Sequence, residues 1–108
     1  MSLETAEKIF ALLKETQHKR LKQDLLEAAI KYANIRAQWA VIPREERAEM
    51  SRTRTIAHDA FIDSCNILSR NMQKSGENGA WRNLLGNDRI VIGDFACYIH
   101  CILGISAG

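Results

Sequence analysis

The chain has one proline in 108 residues, six glycines, three cysteines and a net charge of only +2. Each shortage excludes something. A β-sandwich or barrel needs a turn signal about every 8–12 residues, and so little Gly and Pro cannot supply them. Three cysteines are an odd set with no C-x-x-C pair. That excludes a disulfide-dense secreted scaffold and fits reduced thiols in a cytoplasmic protein. Fifteen Lys and Arg against 13 Asp and Glu are too even for an obligate nucleic-acid binder, which presents a strongly basic face. The longest strongly apolar stretch, residues 95–105, is about half of what a membrane span requires, and His100 interrupts it. The first 17 residues read as an amphipathic helix rather than a secretory leader.

Hydrophobic residues make up 46% of the chain, enough for one core in one helical domain spanning residues 1–108. The charge is unevenly placed. Residues 1–42 carry seven basic and five acidic side chains, residues 43–75 six and five, and residues 76–108 only two and three. The nearly uncharged last third is therefore expected inside the fold.

Helical spacing dominates. Leu3, Ala6, Phe10 and Leu13 form one stripe, widened by Ile9 and Leu12, with Ser2 placed to cap it. A second stripe runs through Leu21, Leu25, Ala28, Ala29, Tyr32 and Trp39. The polar stretch between them lacks Gly and Pro and predicts a bend near Gln17, although one continuous helix also fits. Pro43 followed by Glu45, Glu46 and Glu49 marks the start of a third helix, because proline presets φ and acids suit the positive end of the dipole. No breaker occurs before Ser75 and Gly76, so this helix reaches Lys74 and spans roughly 45 Å. A loop over residues 77–79, a short helix over residues 80–85 ended by Gly86, and a last helix capped by Asn87 or Asp88 and running to about Ser106 complete the chain. The expected fold is all-α: a four-helix-type bundle with a long third helix and a buried apolar C-terminal helix.

Met50, Ala57, Phe61, Cys65, Leu68 and Met72 share one face of the third helix, with Arg54 in the middle of that face and His58 at its edge. A buried guanidinium needs a carboxylate or several carbonyls. Asp94 is the one acid within the otherwise uncharged C-terminal run, so the expected network is Arg54, His58 and Asp94. The plainer expectation is a packed Arg54 stem whose head snorkels or pairs. Cys97, His100 and Cys101 with Cys65 could in principle gather a mixed Cys/His metal site across two helices. Nothing in the spacing selects zinc, however, and small-residue packing explains the cysteines more simply. His100 is expected as a neutral core histidine. His18, Lys19, Arg20 and Lys22 form a basic cluster, flanked by Glu15 and Asp24, that reads as a solvated turn.

Two resemblances bear on function. Arg52-Thr53-Arg54-Thr55-Ile56-Ala57-His58 resembles the Arg-x(4–6)-His motif of HEPN domains, small helical bundles that often act as dimeric, metal-independent ribonucleases. The resemblance implies Arg52 or Arg54 stabilising phosphate charge and His58 in acid–base chemistry on a ribose hydroxyl. Thr53 partly meets that family's preference for a polar residue after the Arg, whereas the mid-chain position departs from its usual place near the last helix. The wider pattern, residues 32–39, 58–63 with Asn66 and Arg70, and 88–96, is similar to a family of small all-helical bacterial proteins of unknown function. The favoured expectation is a non-catalytic protein-interaction module without a cofactor. A homodimer is expected, because a last helix that is apolar nearly all round must be surrounded.

Overall fold

A computed structural model describes the backbone of residues 1–107 and the side chains of residues 1–104. Five helices follow one another: α1 Leu3–Glu15, α2 Lys19–Val41, α3 Arg47–Lys74, α4 Trp81–Leu85 and α5 Arg89–Ala107, with a 3-10 turn at Arg44–Glu46 before α3. No strand occurs among the described residues, and the fold is all-α. No helix there is long and apolar enough to cross a membrane.

The helix ends follow from local chemistry. Ser2 Oγ accepts from the Thr5 N–H at 3.2 Å, and Asp88 Oδ1 accepts from the Ile90 N–H at 2.8 Å; both satisfy donors that a first turn leaves free. The C-terminus of α3 closes on Gly76 at φ +83°. There the Glu77 N–H reaches Met72 O and the Gly76 N–H reaches Gln73 O, the paired reverse bonds that a left-handed glycine allows. Pro43 does not open an α-helix directly. It sits at ψ 145°, in extended backbone, and the Glu46 N–H bonds back to its carbonyl at 2.9 Å. The chain therefore turns through the short 3-10 segment before α3 begins.

Thr16 to His18 break the first two helices apart. The break is pinned from across the molecule: Glu77 Oε1 accepts from the Gln17 N–H at 3.3 Å, and His18 Nε2 lies 2.8 Å from Ser75 Oγ. Partial burial pushes the Glu77 carboxyl up. The hydrogen bonds from Thr16, the Gln17 amide and Ser75, with His18 nearby, outweigh that and hold it below its ordinary value.

The helix α2 is the inner post. It packs along α3 on one side and α5 on the other, while α1 lies against α4 and α5. The core between them holds Tyr32 from α2, Phe61 from α3 and Phe95 from α5, each fully buried. Their rings stand in series, 6.4 Å and 6.2 Å between centroids. At the far end of α3, Trp81 donates its indole N–H to Met72 Sδ at 3.3 Å, and buried Ser69 donates to Gly79 O at 2.6 Å. A Cβ at Gly79 would collide with the Ser69 carbonyl and the Gln73 side chain, so the loop can cross α3 this closely only with glycine there.

The last helix is less enclosed than its composition predicts. Ile92, Phe95, Ala96 and Ile99 are buried, but Ile90 is 66% exposed and Cys101 faces outward. One face of α5 makes the core contact, and the apolar residues on its other side are left over.

Candidate functional site

The polar residues singled out on α3 do not form one network. Arg54 places its guanidinium carbon 4.6 Å from the centre of the Trp39 ring, and Arg47 lies over the same ring at 5.9 Å. The Nε atoms of both arginines are buried with no hydrogen-bond partner among the described residues. A guanidinium facing an indole is stabilised by about 0.5–1 kcal/mol in water and by more when desolvated. The aromatic face thus takes the place that a carboxylate was expected to fill.

The expected carboxylate, Asp94, is engaged elsewhere. Its Oδ1 meets Arg36 Nη1 at 3.3 Å and its Oδ2 meets the Met1 amino group at 3.5 Å. The reason is the pairing of α5 with α2 rather than with the start of α3. Gly93 has no side chain, and a Cβ there would stand 2.7 Å from Arg36 Cζ. The guanidinium therefore lies flat on the α5 backbone, within reach of Asp94 and 3.5 Å from Cys97 Sγ. Burial alone would lower the Arg36 pKa; Cys97 and Asp94 outweigh it and raise the value, so this arginine keeps its charge.

His58 is enclosed. It is 9% exposed, packs edge-on to Tyr32 at 5.4 Å between centroids, and pairs through Nδ1 with Asp59 Oδ1 at 3.1 Å. Its Nε2 and the Tyr32 hydroxyl are both buried without a partner among the described residues. Arg52 is exposed and lies about 120° round the helix from His58. Arg54 lies one turn before His58 but turns its head to Trp39. Arg52, Arg54 and His58 therefore do not converge on a cleft, whereas acid–base catalysis needs a group within hydrogen-bond reach of substrate.

The thiols divide by environment. Burial pushes Cys65 up to about 12, although Arg82 lowers it slightly, which makes it a small core hydrophobe. Cys97 is half-buried and Cys101 exposed. His100 is exposed too, against the expectation of a core position, because α5 packs through Phe95 and Ile99 and turns His100 away. Cys65, Cys97, His100 and Cys101 are thus not gathered, and no three His, Cys, Asp or Glu side chains among the described residues could hold a metal ion together.

No family model, curated protein or solved structure matches the chain. The function must be read from its own surface and core.

Sequence reasoning missed three side chains that organise this arrangement. Arg36 had a readable partner in the glycine before Asp94, since a small residue beside an acid on a facing helix admits a guanidinium. Arg82 left no signal: it bonds Asn66 Oδ1 at 2.6 Å, Gly86 O at 2.5 Å and Asn87 Oδ1 at 3.0 Å, and so ties α4 to α3 and to the start of α5. Glu77 sits in an ordinary-looking loop, and its partner Gln17 is 60 residues away in the chain. The basic cluster at residues 18–22 also loses a member, because His18 is taken up by Ser75 and Glu77.

Proposed function

We propose that this chain is a non-catalytic helical module of the bacterial cytoplasm that works through protein contacts and pairs with a second copy of itself. The observation that carries the reading is a pair of exposed isoleucines on the outer side of α3. Ile56 is 57% and Ile67 42% exposed, three turns apart and so on one face, with exposed Ala60 and Asp63 between them. Arg89 donates to Thr55 Oγ1 at 3.3 Å, which brings the start of α5, with Ile90 66% exposed, beside this part of α3. Large aliphatic groups gathered on a helix face mark an interaction surface, and a two-fold axis lets one such face cover itself. The enclosure of His58 favours this reading over RNA cleavage by Arg52 or Arg54 with His58. Three free thiols, one of them deep in the core, suit a reducing compartment.

Sedimentation equilibrium tests it. The wild type is expected to be a dimer at micromolar concentration, and the variant Ile56→Glu/Ile67→Glu a monomer with unchanged helicity. A wild type that stays monomeric at high micromolar concentration overturns the reading. So does cleavage of single-stranded RNA in EDTA that His58→Ala abolishes without loss of helicity, which would establish the ribonuclease instead.

A further inference from the structure

A second feature lies near the start of α2, where α1, α2 and α5 leave a pocket of about 240 Å³. Its walls are Phe10 and Leu13 from α1, Leu26 from α2, and Ile102 and Leu103 from α5. Phe10 is held as a wall by an edge contact with Tyr98, 6.0 Å between centroids. The two polar side chains that line the pocket are both cationic, Lys14 and Lys22. Neither is in an ion pair among the described residues.

The placement of Lys22 makes the charge informative. It lies in the first turn of α2, whose positive dipole end disfavours a cation. That turn contains no acid, and the residue before it makes no side-chain cap. An aliphatic pocket and two ammonium groups without an ion pair among the described residues thus meet at one place. A ligand with an apolar tail and one negative head would satisfy both. We infer that this pocket binds a medium-chain aliphatic carboxylate, its alkyl tail among Phe10, Leu13, Leu26, Ile102 and Leu103 and its carboxylate between Lys14 and Lys22.

The size selects the chain length. An apolar cavity of about 150 Å³ admits benzene, so by proportion this pocket takes about eight to ten carbons. It lies below the ~300–1,000 Å³ usual for larger ligands. Each buried methylene should tighten binding about fourfold.

Isothermal titration of the full chain with a series of saturated carboxylates, from about six to about twelve carbons, tests this. The expected result is one ligand per chain, with Kd falling about fourfold per added carbon and levelling off near ten. Octylammonium should bind at least about tenfold more weakly than the carboxylate of equal length, because its head meets two like charges. The surface variant Lys14→Glu/Lys22→Glu should lose at least about tenfold in carboxylate affinity at unchanged helicity, and Leu26→Trp should fill the pocket and remove binding. Absence of saturable heat overturns the proposal. So do uptake that appears only where the carboxylate forms micelles, equal affinity for octylammonium, and unchanged affinity in the double lysine variant, which needs no core repacking to stay folded.

Discussion

Arg82 offers the clearest quantitative test of how this fold is held together. Its guanidinium makes three hydrogen bonds, to Asn66 on α3, to the Gly86 carbonyl that ends α4, and to Asn87 ahead of α5. A hydrogen bond from a charged donor contributes about 1.5–3 kcal/mol when sheltered. The bonds to Asn66 and Gly86 are partly buried, whereas the one to Asn87 is exposed and counts for little. With water able to replace part of the first two, Arg82→Ala should cost about 2–4 kcal/mol. Against a total of about 5–15 kcal/mol for a small domain, this is a large share, and it should lower the melting temperature by roughly 10–20 °C. Urea titration followed by far-UV circular dichroism measures the loss directly. Arg82→Lys should recover less than half, because an ammonium cannot span three acceptors set around a planar fork. Asn66→Ala should cost about 1–2 kcal/mol alone and little more on top of Arg82→Ala, since the two share one bond. A loss below about 0.5 kcal/mol for Arg82→Ala, or full rescue by Lys, would refute the claim that the fork joins these three elements.

Three further outcomes follow from groups already described. Tyr32→Phe should stabilise the protein by about 1 kcal/mol in the same urea assay, because it removes a buried hydroxyl that has no partner among the described residues; a comparable destabilisation would show that the hydroxyl is bonded in solution. Iodoacetamide labelling of the native protein, read by peptide mass, should modify Cys101 first and spare Cys65, whose thiol burial has raised to about 12; early labelling of Cys65 would contradict its place in the core. Glu77 has a folded-state pKa below its ordinary 4.5, so its stabilising effect is complete above that value and is lost as the pH falls through the lowered one. Glu77→Gln should therefore show a shallower loss of stability than wild type on acidification below about pH 4.5, and identical slopes would refute the role assigned to the carboxylate.

Much of the architecture was legible because its causes are local. The stripe from Leu3 to Leu13, the glycine at position 76 and the cap at Asp88 act within a few residues, so spacing and residue type suffice to place α1, the end of α3 and the start of α5. The partner of Arg54 was not legible, because it depends on which helix lies beside which. Reading Asp94 as the only acid in an apolar run was sound, but a sequence does not reveal that α5 lies along α2, where Arg36 reaches the acid first. His100 and Cys101 illustrate the same point. In a helix that is apolar on every side, periodicity cannot say which face turns inward. Trp39, counted as one more apolar residue of the α2 stripe, receives Arg54 through its ring face, a pairing that no rule of helix spacing contains.

The position of α1 has a consequence for how the chain is made. It packs against α4 and α5, so during synthesis α1 waits for two helices made well after it. At about 5–20 residues per second, the interval is on the order of 5–20 seconds. Over that time Ile9, Phe10 and Leu13 lack the surfaces of α4 and α5, while α2 and α3, adjacent in the chain, can pair as soon as both exist. A nascent chain stalled before residue 89 should thus hold a formed α2–α3 hairpin beside an α1 whose apolar stripe is still partly uncovered.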